Sequence, residues 1–387
     1  MDNALVKIRF YFRLGLSHKH ILECLAHLDG IIVSIRTLKR YMKRAKLFRR
    51  KNKSDVLEVV LYLMGEIEHS GQLHGYRIMH LKCIQGGFVI SQNEVQMLLS
   101  IIDREGVALR RRHRLERRIY YNPGPDFLWH VDSYDKLKPY GICNNGAIDG
   151  YSRHIVWLEA YTTNSDPSVI ANYFMKAVRS RLGCPKRVCA DMGTENGHIE
   201  IMQRFMRSEH EDEFAQRSFL YGSSNHNQRI EYWWAFLRGQ NSQFWMNLFG
   251  SLKDDDKFTG NFLDKNLIQF CFLQIIQDDL NRTVHLWNNH RIRPSRNQVS
   301  PHGRPVIMYT LPHLHGAQSQ LCNVTPEQVG MCLEECTPKG PTPCDAIVFE
   351  LCCLLMQEHD CSAPTNPSDA LVLYDFLRES IYSDLQI

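Results

Sequence analysis

Phe127-Leu-Trp-His-Val-Asp132-Ser-Tyr134 is the stretch on which the reading of this chain turns. A short apolar run follows the breaker Asn122-Pro-Gly-Pro125, which marks a domain boundary. The run predicts a buried strand, Leu128–Val131, that delivers a carboxylate, Asp132, at its end. A second acid closes a similar run, Lys186-Arg-Val-Cys-Ala-Asp191, and leads into Met-Gly-Thr-Glu-Asn196. A third, Glu231, rides a helix-like stretch, Asn225-His-Asn-Gln-Arg-Ile-Glu231-Tyr-Trp-Trp234. Taken singly, Asp132 reads as a strand-end or turn carboxylate and Glu231 as a surface helix residue. Taken together, two strand ends and a helix can gather three carboxylates into a pocket that only metal ions neutralise.

Working outward, Gly141–Ile148 and Arg153–Tyr161 read as a second and third strand, with Asp149-Gly150 as the hairpin turn. Ser165-Asp-Pro167 has the cap and first-turn residues of a helix running to about Arg181. Gly183-Cys-Pro185 turns the chain into a fourth strand, Arg187–Ala190. Residues 198–208 read as helix, Arg217–Tyr221 as a fifth strand, and a helix from about Asn227 carries Glu231. The expected class is α/β: a mixed five-stranded sheet with flanking helices. Downstream, Phe270–Leu286 predicts a long helix with a basic end.

The chemistry that needs such a pocket is phosphodiester transfer. Its transition state gathers negative charge on the phosphoryl and apical oxygens. Two Mg²⁺ ions about 4 Å apart can activate the attacking oxygen and steady the leaving one. Mg²⁺ prefers hard oxygen ligands and takes only a few from protein. Asp132 would bridge both ions, Asp191 would hold one and Glu231 the other; Mn²⁺ could substitute. Nearby, Asp135 and Glu195 read as supporting or surface acids. His130 and Asn196 are candidates to contact metal-bound water or a phosphate, and Lys136, Lys138 and Arg229 read equally as binders of DNA phosphates or as ordinary surface charge. Trp233, Trp234, Phe236 and Trp245 could stack on bases, although aromatics at helical spacing more often form core.

Charge divides the 387 residues unevenly, although the net value is only +4. Residues 1–120 hold 23 Lys and Arg against 11 Asp and Glu, residues 121–319 hold 21 against 20, and residues 320–387 hold 2 against 11. A basic head attracts a polyanion. Within it, residues 1–53 read as three short helices: Gly15 and Ser17 separate the first two, Gly30 ends the second, and the third starts near Ser34. The third turns Leu38, Tyr41 and Met42 inward and Arg36, Lys39, Arg40 and Lys43 outward, the pattern of a helix-turn-helix DNA-binding module. A plain three-helix bundle with a polar face is the other reading.

Residues 54–120 form a second helical module, with helices over Val56–Ile67, after Gly75, and from Ser91, ending in an Arg-rich linker. Its Arg110, Arg111, Arg112 and Arg114 would track phosphates or serve nuclear localisation. Residues 121–300 are the expected catalytic domain, and residues 301–387 an acidic, Cys-rich region of small packed helices. The chain has no apolar run long enough for a membrane span and no secretory leader, so an intracellular protein acting in the nucleus is expected. Its 13 cysteines then read as reduced and mostly buried. Zinc in the tail, using Cys332 and Cys336 with His313 or His315, lacks the usual paired spacing.

Trp129-His-Val-Asp-Ser-Tyr-Asp-Lys-Leu-Lys-Pro-Tyr140, with Asp191-Met-Gly-Thr-Glu-Asn196 and Asn227-Gln-Arg-Ile-Glu231, resembles the integrase catalytic core. The likeness is strongest to the animal integrase-core proteins related to transposons and retroviral integrases, and covers roughly residues 120–300. It implies an RNase H-like fold and an Asp-Asp-Glu triad that cuts and joins DNA strands with divalent metal. Matched residue by residue, the triad falls on Asp132, Asp191 and Glu231. Asp191 and Glu231 lie 40 positions apart, slightly more than in retroviral members, and Gln228 stands where many members have Gly. The module at residues 54–120 is similar to one that precedes the catalytic domain in bacterial insertion-sequence transposases. The zinc-bearing head of retroviral integrases has no counterpart, since His18, His20 and Cys24 lack a second cysteine.

The expected function is therefore that of a DNA-binding polynucleotidyl transferase, with DNA as partner and, as the resemblance implies, a homo-oligomeric state. Neither a membrane nor a small-molecule cofactor is expected. The alternative is a transposon-derived DNA-binding protein that has lost catalysis. An RNase H-type nuclease is a third reading, disfavoured by the basic head.

Overall fold

Residues 1–120 and 285–316 fold as one unit, and residues 121–284 and 317–387 as another. The computed structural model describes residues 2–68, 74–104, 107, 121–222, 227–294 and 301–385.

In the first unit, α1 (Asp2–Arg13), α2 (His18–His27) and α3 (Ile35–Arg44) begin and end where local chemistry dictates. Gly15 takes the left-handed conformation, φ +74°, that lets the chain leave α1. Ser17 and Ser34 cap α2 and α3, each hydroxyl accepting an N–H, from His20 and Thr37. Ile8, Ile21, Leu25, Leu38 and Met42 close a core that also takes Ile307 and Leu311, from and beside the short helix Pro305–Thr310. A second core gathers α4 (Val56–Glu68), α5 (Tyr76–Gln85) and α6 (Gln92–Ile102) around Val59, Leu63, Met79, Cys83, Val95 and Leu99. Ser91 and Glu94 form a reciprocal capping box at the start of α6. Arg110, Arg111, Arg112 and Arg114 lie outside the described residues, as do Asn225 and His226.

The second unit is built on five strands: β1 (Leu128–Tyr134), β2 (Cys143–Asp149), β3 (Ile155–Tyr161), β4 (Arg187–Ala190) and β5 (Phe219–Tyr221). Their order in the sheet is β3-β2-β1-β4-β5. The pairs β1/β2 and β2/β3 are antiparallel, while β1/β4 and β4/β5 are parallel. This mixed sheet is consistent with the expected RNase H-like fold.

Two details depart from the expected strands. β1 does not stop at Val131 but runs to Tyr134, because β2 continues to offer antiparallel partners as far as Asn144. Parallel pairing to β4 ends at His130↔Cys189, so Asp132 lies beside a notch where β4 has already left the sheet. The β2–β3 connection is also wider than a two-residue hairpin turn. Asp149 accepts from the Ser152 N–H (2.7 Å) and hydroxyl (2.6 Å), bracing a loop in which Arg153 adopts φ +63°.

Alternation along β1 separates the two faces of the sheet. Trp129 and Val131 enter a core with Val169, Phe174 and Val178 of α7 (Pro167–Arg181) and Ile199 and Met202 of α8 (Gly197–Arg207). Asp166 caps α7 and Pro167 occupies its first turn, as the sequence predicts. The other face carries His130, Asp132 and Tyr134 toward α9 (Gln228–Leu237).

A single π turn, Arg238–Ser242, joins α9 to α10 (Gln243–Asp254), a helix the sequence reading did not contain. Next comes α11 (Phe262–Asn289), longer at both ends than expected. The tail forms α12 (Pro326–Glu334), α13 (Ala346–Glu358) and α14 (Pro367–Leu385). Gly183–Cys184 and Cys322–Asn323 add a two-stranded ladder in place of a simple turn. All 13 cysteines are free thiols, ten of them buried. Cys332 belongs to the sheet core, and the Cys336 thiol donates to the Cys332 carbonyl.

Candidate active site

Asp132 is half-buried on β1, opposite Gly146 of β2. One carboxylate oxygen, Oδ2, accepts from the Trp234 indole N–H at 2.8 Å. Tyr134, two residues along the same face, stacks on that indole with ring centroids 5.0 Å apart and 25° between planes. Gly146 makes the arrangement possible, since a Cβ there would stand 3.0 Å from Trp234 Cη2. The indole therefore lies in a cradle of Tyr134, Gly146 and the Asp132 carboxylate.

Asn227, immediately before α9, fixes the other end of the same contact. Its amide donates to the Val131 carbonyl at 3.0 Å, and its Oδ1 lies 2.7 Å from His130 Nδ1. Burial pushes the fully buried His130 down to about 4, so the ring is neutral and Nδ1 carries the proton toward Asn227. Asn227, Glu231 and Trp234 stand at positions i, i+4 and i+7, one face of a helix of 3.6 residues per turn. Two anchors to β1 thus bracket Glu231, which itself remains exposed.

Asp191 follows β4 where that strand leaves the sheet and is exposed. Its Oδ1 accepts from Asn196 Nδ2 at 2.8 Å and from the Gly193 N–H at 3.3 Å. Asn196 is buried and also donates to Glu195 Oε1 at 3.2 Å, so one amide orients two acids.

Asp132 senses the charge of both other acids. Burial pushes the Asp132 carboxyl up to about 7; hydrogen bonds from Trp234 and the Ser133 N–H oppose the rise, while the charges of Glu231 and Asp191 add to it. Glu195 is also raised, by burial first and then by Asp191 and Asp135. Asp132 is thus a hard oxygen donor repelled by two further acids, and carboxylate oxygens are the donor type that divalent cations such as Mg²⁺ prefer. The three acids are not collapsed onto one point: among the described residues, the group of three metal-ligating side chains with all ligand atoms within 4.8 Å is Glu23, His27 and His313.

The remaining residues singled out in the sequence fall as follows. Asp135 is exposed and accepts from Lys138 at 3.1 Å and Asn164 at 2.5 Å. Lys136 and Lys138 are exposed, and Arg229 is half-buried near His130, whose protonation it disfavours. Arg36, Lys39, Arg40 and Lys43 project from α3 into solvent. Arg49, part of the same basic sequence cluster, instead lies over the Phe12 ring at 3.6 Å and donates to the Phe12 carbonyl. Trp233 and Trp245 are core side chains, Trp245 donating to Asp279 at 3.1 Å. Sequence reasoning overlooked the roles of Asn227, Trp234 and Gly146, although the helical spacing of the first two about Glu231 was visible.

Residues 119–315 match the family model described as Integrase core domain. No curated protein matches the chain.

Proposed function

The chain belongs to the integrase core domain family, whose function is of polynucleotidyl-transferase type, and from that premise we propose that its acidic pocket binds divalent cations and cuts and joins DNA strands. The observation that carries this reading is the half-buried Asp132 carboxyl on the central strand, just past the end of its pairing with β4, held by Trp234 and raised to about 7 by burial with the charges of Glu231 and Asp191 adding to the rise. Such a cluster gains most from a bound cation, and Asp132, Asp191 and Glu231 are the residues that would hold Mg²⁺ or Mn²⁺. A pair of such ions held there would supply an activated water or 3′-hydroxyl and neutralisation of charge on the phosphoryl oxygens.

The protein's own part is positioning. Trp234 fixes the rotamer of Asp132 by occupying Oδ2, which leaves Oδ1 and the remaining lone pairs for ligation. Asn196 orients Asp191, and the two α9 anchors fix the backbone from which Glu231 extends. The exposed Lys136 and Lys138 would meet phosphates, while the buried His130 supports Asn227. The solvent-facing cations of α3 supply sequence-independent attraction for the duplex. An assembly of two or more copies acting on nuclear DNA completes the reading.

The test is nicking of supercoiled plasmid by the full chain with Mn²⁺ or Mg²⁺. The expected result is relaxation that chelator abolishes and that Asp132→Asn lowers by about 10³-fold, while plasmid binding persists. Equal nicking by Asp132→Asn would remove the acidic pocket as its source, and DNA binding with no metal-dependent nicking would leave a DNA-binding protein without catalysis.

A further inference from the structure

We propose that Glu23, His27 and His313 form a second metal site, in the helical head, for a zinc-class divalent cation. Glu23 and His27 are one helical turn apart on α2, at i and i+4, and therefore share a face. His313 comes from the short turn Pro312–His315, distant in sequence, which Ile307 and Leu311 anchor to the same core as α2. His27 Nε2 lies 3.3 Å from Glu23 Oε2, and His313 Nε2 lies 4.0 Å from the same oxygen. The two imidazoles lie with centroids 5.0 Å apart and planes tilted by 57°, and all three ligand atoms fall within 4.8 Å of one another.

Those distances decide what the cluster can hold. Tetrahedral zinc with bonds of about 2.0–2.1 Å needs ligand atoms roughly 3.4 Å apart. One pair is already there, and the others need about an ångström of closure. Rotation of partly exposed side chains supplies that without moving α2 or the turn. Two imidazoles and one carboxylate suit zinc and its neighbours, whereas Mg²⁺ and Ca²⁺ require more oxygen donors. Three protein ligands leave a fourth position for water. The half-exposed rings give the ion a path from solvent, with side-chain exposures of 53% for His27 and 51% for His313. A cation here would tie α2 to the turn at 312–315. This site is separate from the Asp132 pocket and uses different chemistry.

The experiment is titration of the full-length chain with Co²⁺, read by visible absorption, and with Zn²⁺, read by calorimetry. Both are run in an Asp132→Asn/Asp191→Asn background so that the acidic pocket does not contribute. The expected result is one equivalent bound, with the intense visible bands of four-coordinate Co²⁺. His27→Ala and His313→Ala should each weaken binding at least tenfold, Glu23→Gln should weaken it too, and Cys332→Ser should leave it unchanged. Absence of uptake, octahedral-type weak absorption, or binding that survives both histidine substitutions would overturn the proposal. The conservative His27→Gln guards against a folding defect: it must lose the metal while keeping the helical circular dichroism of the parent.

Discussion

The Asp132 pocket and the outer face of α3 are both clusters of one sign of charge, yet they are built in opposite ways. Arg36, Lys39, Arg40 and Lys43 stand in water, where each charge is solvated and costs the fold little. Asp132 is half-buried among like charges, and its carboxyl is raised to about 7. A solvated cluster permits a partner of opposite charge, whereas a desolvated one requires it. The face of α3 can thus be varied at little cost to folding, while the buried Asp132 carboxylate carries an unfavourable energy that, on the proposed function, a bound cation would relieve.

The largest effect expected from this contrast is on stability as a function of pH. Folding raises the Asp132 carboxyl from 3.8 to about 7, so between those values the folded state binds more protons than the unfolded one. Stability then falls as pH rises through that window, and the full penalty remains above it. Asp132→Asn removes the penalty. Chemical denaturation should find the variant more stable at pH 8, by at most about 4 kcal/mol, and equal to the parent near pH 4. Asp149 is raised to about 7 for the same primary reason, burial, so the difference between the two proteins is the quantity to read, not either profile alone. A variant less stable than the parent at pH 8 would contradict the picture of a strained pocket.

A smaller effect should follow from Trp234→Phe. It keeps the ring against Tyr134 but deletes the N–H that holds Asp132, a hydrogen bond to a charged group of about 1.5–3 kcal/mol. Because that bond lowers the Asp132 pKa, its loss raises it further. Activity should drop about tenfold at pH 7, and the acid limb of the pH–rate profile should move to higher pH. A uniform loss at every pH would instead mark Trp234 as packing alone.

The smallest effects belong to α3. Lys39→Gln or Lys43→Gln should reduce the slope of log affinity against log salt for duplex DNA by about 1 each. Unfolding should change by no more than about 0.5 kcal/mol. Substitutions that destabilise the head without altering the salt slope would leave α3 as a plain bundle helix.

What could be read from sequence was whatever is encoded locally. Ser17, Ser34 and Ser91 announce their helices because an N-cap needs only a hydroxyl and the next three residues. The pair Asp166-Pro167 fixes the start of α7 for the same reason. The strands about Asp132 and Asp191 were legible from their apolar runs, and so was the mixed sheet. Contacts across the chain were not. Where β1 stops depends on how far β2 pairs with it, and the hairpin loop is set by the Asp149 carboxylate reaching Ser152. The link from Trp234 to Asp132 spans 102 positions, and Gly146 matters only because an indole lies over it. The meeting of His313 with Glu23 and His27 depends equally on tertiary packing. The three acids stood out by their settings at two strand ends and on a helix, but no local rule brings two strand ends to a helix, and their matching as a triad came from the family resemblance.

The most direct measurement is anomalous diffraction from crystals of the full-length chain soaked in Mn²⁺. Two peaks about 4 Å apart, both within ligand distance of Asp132 and divided between Asp191 and Glu231, are the predicted result. Manganese bound elsewhere with none at Asp132, or a Glu231 turned away from the ions, would contradict it.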